Sequence, residues 1–176
     1  MYHVPSSLIR ALAVASSIML MALSPALAQD GKLAAPKGTP ILTIEGKISV
    51  TNADGKAQFD REMLEELGVT SFETMTPWFT GKVKFEGVPL DKIMKLVGAD
   101  GNEVVAVALN DYSTTLPLKD FAEHGVLLAL KRDGQYMPVS DKGPLFIVYP
   151  YDSNPELQSQ QFYSRSVWQL ARLIVR

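Results

Sequence analysis

The sequence predicts an α+β domain: a mixed, barrel-like β-sheet with short helices at its edges. Three observations carry that expectation. Short segments of alternating or continuous apolar residues are interspersed with short amphipathic runs, the mark of strands mixed with small helices. Asn110-Asp111 and Asp133-Gly134 each separate two strand-like runs, which signals antiparallel hairpins rather than a regular parallel β/α alternation. The 176-residue chain also has no cysteine, so a buried core must stabilise it, and the length suffices for one.

The first 28 residues are read as a removable export signal. Arg10 precedes an apolar run from Ala11 to Leu23, broken only by Ser16 and Ser17, and Ala26-Leu27-Ala28 offers a small-residue exit before Gln29. That run is shorter than the ~20 apolar residues a membrane-spanning helix needs. The expected division is a signal peptide over 1–28, an extended leader and short disordered tail over 29–40, and one domain over 41–176. Its expected location is a bacterial periplasm. Beyond residue 28 the formal charge is 16 − 19 = −3. No Lys/Arg cluster offsets it, so nucleic acid and anionic lipid are set aside as partners.

Ile41 to Val50 reads as a strand with Leu42, Ile44, Ile48 and Val50 on one face, and Gly46 as a bend in it. Thr51 to Gly55 is a turn, and Phe59 to Leu67 a short helix ended by Gly68. Val69 to Gly81, with Pro77 and Trp78 among threonines, reads as an ordered loop or short strand. Lys82 to Glu86 alternates as a strand. Pro89 then opens a helix over Leu90 to Val97, closed by Gly98. Glu103 to Leu109 pairs with Tyr112 to Leu116 across the Asn110-Asp111 turn, and Pro117 to His124 forms a helix before Gly125. Strands follow at Val126 to Lys131 and Leu145 to Tyr149. A polar excursion fills Pro150 to Ser164, and Ser166 to Val175 is the last strand, with Trp168 alternating into the core.

These motifs resemble, in order, the sulfite-oxidase-like, molybdopterin-binding domain. Phe85-Glu86-Gly87-Val88-Pro89-Leu90 resembles its aromatic-x-Gly-Val-Pro-Leu turn, and Asn110-Asp111-Tyr112 with Leu116-Pro117-Leu118 its Asp-Gly-Tyr segment and Pro-Leu helix. Leu127-Leu128-Ala129, Asp133-Gly134 and Met137-Pro138 are similar to its hairpin. Gly143 to Pro150 resembles the strand after it, and Val167-Trp168-Gln169-Leu170 its final strand. The resemblance implies a sulfite-oxidase-type fold over the domain and a cofactor pocket. It also exposes two departures. Catalytic members carry a molybdenum-ligating cysteine before the Gly-Val-Pro-Leu turn, where this chain has Thr74 to Gly81 and no thiolate anywhere. Phe146 stands where an arginine suited to the cofactor phosphate is often found.

Other chemistry has thin support in the sequence. His124 at a helix end suits the dipole better than a catalytic triad. Asp60, Glu62, Glu65 and Glu66 read as a solvated face, and no His/Cys grouping suggests a transition metal. The resemblance places Trp78, Asp111, Tyr112, Tyr149, Tyr151 and Arg165 around the pocket. Trp78 and Tyr112 would stack on a ring, Asp111 would read its edge and Arg165 would clamp a polar tail. For Trp78 a packed loop anchor is an equal reading. No covalent cofactor is expected, and a pterin is a better ligand than molybdopterin. The size, the export signal and the missing thiolate are similar to small exported relatives, the PruR-type periplasmic pterin-binding proteins, which implies an inner-membrane sensor as partner. The leading expectation is therefore a non-catalytic pterin-binding protein. The rivals are a molybdopterin oxidoreductase component without the cysteine and a structural partner protein.

Overall fold

A computed structural model describes residues 33–176, so the expected signal peptide and residues 29–32 of the leader lie outside the described residues. No helix among the described residues is long and apolar enough to cross a membrane. In chain order the elements are β1 Leu42–Gly46, β2 Ala57–Phe59, α1 Arg61–Glu66, β3 Thr70–Thr76, β4 Phe79–Pro89, α2 Leu90–Leu96, β5 Glu103–Ala108 and β6 Ser113–Pro117. There follow α3 Asp120–Glu123, β7 Leu127–Arg132, β8 Gln135–Tyr136, β9 Phe146–Val148, α4 Gln160–Ser164 and β10 Leu170–Val175.

The α+β expectation holds, but the described strands form two sheets and do not close a barrel. The first sheet runs β2-β1-β10-β5-β6. Its β1–β10 pair is parallel and sets the first strand beside the last; the other pairs are antiparallel. The second sheet runs β3-β4-β7-β8, all antiparallel, with β9 also on β7. Inner-face residues of both sheets, among them Ile44, Val104, Leu173, Phe85, Leu128 and Ile147, share one hydrophobic core. The short helices add to it: Leu64 from α1 and Leu90, Ile93 and Met94 from α2 are buried there.

Several element boundaries differ from the sequence reading, each for a local reason. β1 stops at Gly46, whose φ of +92° turns the chain and where a Cβ would collide with the Val175 carbonyl oxygen. Ser49 and Val50 then hydrogen-bond to the Val97 carbonyl instead of extending the strand. Phe59 belongs to β2 and pairs with Leu42, so the helix starts two residues later. Its N-cap is Asp60, a buried carboxylate rather than part of a solvated acidic face. The same carboxylate accepts from the backbone N–H groups of Lys37 and Gly38, and Asn52 donates to the Ala34 carbonyl. Residues 33–40 are thus tied to the domain rather than forming a loose tail.

Of the two readings of Val69 to Gly81, an ordered loop or a short strand, the strand holds, and it forms a hairpin. β3 and β4 pair along their length and are joined by Pro77-Trp78. Within β3 only Thr74 and Met75's neighbour Thr76 are buried, so the edge strand lacks the apolar alternation that would have revealed it. The helix after β6 shrinks to Asp120–Glu123 because Pro117 still belongs to the strand. The last strand begins at Leu170, not Ser166. Trp168 instead bridges Phe146, and Ile147 N–H donates to the Val167 carbonyl. Gln169, at φ +53°, then turns the chain into the first sheet, where its carbonyl accepts from Leu109. Residues 167–170 therefore join the two sheets.

Candidate functional site

Where that joining segment meets the turns of both sheets lies a cavity of about 400 Å³, within the usual range for small-molecule sites. The β3–β4 turn supplies Pro77 and Trp78. Asn110 and Tyr112 come from the β5–β6 turn, and Ala108 from the end of β5. α4 and the chain leaving it supply Gln160, Tyr163, Ser164, Ser166 and Trp168. None of these lining side chains is charged. The wall is aromatic with a few neutral hydrogen-bonding groups.

Trp78 organises this wall. Its ring meets Trp168 edge-on at 5.6 Å between centroids and Tyr163 at 6.1 Å, while on its inner side it meets Phe146 at 5.5 Å and Tyr151 at 6.1 Å. Edge-to-face contact suits the ring quadrupoles and fixes the indole plane. Of the two readings left open in the sequence, the packed anchor holds: Trp78 ties its turn to the core, and its ring also lines the cavity. Tyr112 stands half-exposed across the mouth, its hydroxyl 3.4 Å from the Ser164 carbonyl oxygen, to which it donates.

The other site residues singled out from the sequence lie elsewhere. Asp111 occupies the left-handed position of the β5–β6 turn at φ +63° and faces a separate groove with Lys56 and Arg172. Tyr149 and Tyr151 are buried behind the wall. The Tyr151 hydroxyl hydrogen-bonds the Ser166 hydroxyl, and burial holds its ionisation above the ordinary tyrosine range. The Tyr149 hydroxyl donates to Asp120 Oδ2 at 3.0 Å. Burial first, and then the Asp120 charge, push its ionisation up as well. Arg165 turns away from the cavity and donates through Nη1 to Asp120 Oδ2 at 2.7 Å.

Sequence reading missed Asn110, Tyr163, Ser164, Ser166 and Trp168 as lining residues and Asp120 as a buried charge. Trp168 was read as core; it does pack against the core, beside Phe146, and it also lines the cavity. His124 is the C-cap of α3, its ring 5.2 Å from Phe162 and 6.2 Å from Tyr149. Asp120, Glu123 and His124 bring one potential metal-ligating atom each within 4.8 Å of one another. Arg165 already supplies the positive charge at Asp120 that a cation would bring.

The donor chemistry bears directly on a molybdenum centre. The cavity offers amides, hydroxyls and rings, and the chain contains no cysteine to furnish a thiolate. A soft metal centre is left without its anionic sulfur ligand. A family model described as the oxidoreductase molybdopterin binding domain matches residues 54–152, more than half of the chain. The match includes the turns that carry Trp78 and Tyr112 and stops before α4 and Trp168. A search among curated proteins finds no match.

Proposed function

The chain belongs to the oxidoreductase molybdopterin-binding domain family, and on that premise we propose that it binds a pterin-like heterocycle without transforming it. The observation that carries the reading is the cavity wall: Trp78, Trp168, Tyr163 and Tyr112 around an opening with no charged lining side chain. A flat, polar-edged ring needs aromatic planes against its faces and neutral donors and acceptors at its rim. The rings supply the first, each aromatic contact contributing about 0.5–1.5 kcal/mol beyond burial. The Asn110 amide can both donate and accept at the rim, and Ser164 Oγ, whose proton goes to the Gln161 carbonyl, can accept there.

The residues present do not fit a thiolate-held molybdenum centre, so no redox step is derived for this chain. The titratable side chains on the wall are the phenols of Tyr112 and Tyr163, and no carboxylate, imidazole or amine lines it beside them to serve as the usual general base. The aromatic, uncharged wall supports a reading of binding without turnover. Read with the expected export signal over residues 1–28, the proposal places the ligand in the periplasm and makes an inner-membrane sensor the receiver of the bound state.

Native mass spectrometry of protein purified from the periplasm of its host tests the proposal. The expected result is an adduct with the mass of a pterin and no molybdenum. A molybdopterin-sized adduct carrying the metal would overturn it in favour of an oxidoreductase component. Protein that is empty and takes up no added pterin would remove the ring-binding reading altogether.

A further inference from the structure

An ion pair outside the cavity is attached to the stretch that supplies half of the lining residues. Gln160, Tyr163, Ser164, Ser166 and Trp168 all line it from one stretch, residues 160–168. α4 within that stretch is five residues long, far short of the ~12–15 an isolated helix needs to be even marginally stable. Its position therefore depends on tertiary anchors. Trp168 bridges Phe146 through the backbone, and the Ser166 hydroxyl bonds that of Tyr151. The third anchor is the ion pair from Arg165 to Asp120, with the two side chains 17 % and 4 % exposed.

That pair is arranged to be rigid. Asp120 Oδ2 accepts from Arg165 and also from the hydroxyl of buried Tyr149, which follows β9. Two donors on one buried oxygen leave the carboxylate little freedom, and a short charge-assisted bond fixes the guanidinium in turn. Arg165 sits between Ser164 and Ser166 in sequence, so fixing its side chain fixes the backbone that presents both hydroxyls. It also lies over the Phe162 ring at 5.1 Å, which packs α4 against His124 and Tyr149.

We infer that Asp120 is a positioning residue: from α3, outside the cavity, it holds the 160–168 wall in the shape that accepts a ring. Without that carboxylate Arg165 loses its direct partner, and the remaining nearby acid, Glu123, is exposed at the surface, so the guanidinium follows it outward toward water. Such a swing moves Ser164 and Ser166 and loosens Trp168. The inference rests on the ring-binding reading for its ligand effect, but its structural effect can be read without any ligand. The chain has two tryptophans, Trp78 and Trp168, and both line this cavity. Indole fluorescence therefore reports this site alone.

The test compares wild type with Asp120→Asn and Arg165→Lys, each first shown folded by circular dichroism and a cooperative thermal transition. Indole emission and acrylamide quenching are recorded without ligand, and 6-hydroxymethylpterin is titrated by calorimetry. In Asp120→Asn the emission should shift to the red, quenching should rise and Kd should weaken roughly three- to thirtyfold. Arg165→Lys keeps the charge but loses the fork, so it should show the same changes to a smaller degree. A folded Asp120→Asn with unchanged emission, quenching and Kd overturns the inference. Should that variant not fold, Arg165→Lys and Arg165→Gln decide: unchanged emission in both overturns it. If wild type does not bind 6-hydroxymethylpterin, the ring-binding reading is in trouble, while the emission and quenching still decide the role of Asp120.

Discussion

Trp78 shows how one side chain serves both stability and site. Its inner contacts with Phe146 and Tyr151 bind the β3–β4 turn to the core, and its outer contacts with Trp168 and Tyr163 shape the wall. The adjoining β5–β6 turn makes a sharper division between neighbours. Asn110 and Tyr112 line the cavity, whereas Asp111, at positive φ between them, faces the groove that holds Lys56 and Arg172. A carboxylate matches a pterin's aminopyrimidinone edge better than an amide does, so sequence reasoning favours Asp111 as the edge reader. The turn geometry favours Asn110. Titration of a pterin into Asn110→Ala should show weaker binding, by about 1 kcal/mol for one lost neutral hydrogen bond. Asp111→Asn should bind as wild type does. The reverse pattern would mean that the turn rearranges around the ligand and that Asp111 reads its edge.

At the scale of elements, α1 depends on one carboxylate used from both sides. Asp60 Oδ1 accepts from Met63 N–H as the helix cap, and Oδ2 accepts from Gly38 and Lys37 N–H in the segment before β1. The Met63 bond, then the Gly38 bond, hold its carboxyl below the ordinary 3.8, against an opposing effect of burial. A carboxyl with a lowered folded-state pKa adds stability that is fully present above the unfolded value near 3.8. That stability is lost as pH falls through the lower folded value. Asp60→Asn does not titrate, and its NH₂ group would face N–H donors on one side. Urea midpoints should therefore show the variant clearly less stable than wild type at pH 7, with the gap closing as pH drops below about 4. A gap that stays constant across that range would mean that Asp60 contributes through packing and not through its charge. This cap also marks how far the elements were legible in the sequence. Strong apolar runs were found near their observed limits: β7 and β9 because burial on both faces leaves a plain signature, and β5 because its valines and alanines run unbroken. β2 was missed because three residues are too few for a pattern, and β3 was left open between loop and strand because an edge strand of threonines has no apolar alternation. In the site, the aromatic residues of the turns, Trp78 and Tyr112, could be picked out from sequence. Ser164 and Ser166 could not, because their place is set by an ion pair 45 residues apart in the chain, Arg165 to Asp120.

On the scale of the whole molecule, the cavity belongs to neither sheet alone. Trp78 enters it from the second sheet and Asn110 and Tyr112 from the first. Trp168 enters from the segment that joins them, where Phe146 of β9 meets Trp168 and the Gln169 carbonyl meets Leu109 of the first sheet. Loss of either sheet removes part of the wall, so a ligand held there binds only the fully folded domain. Linkage then requires bound ligand to stabilise both sheets together, by about 2.7 kcal/mol at a hundredfold excess over Kd. Thermal unfolding followed by far-ultraviolet circular dichroism and by indole fluorescence should give coincident transitions that move upward by the same amount when a pterin is added. The two probes sample different things, overall strand content and the cavity wall. If ligand raises the fluorescence transition and leaves the dichroism transition where it was, the wall unfolds separately from the sheets. The joining segment at 167–170 would then not couple them.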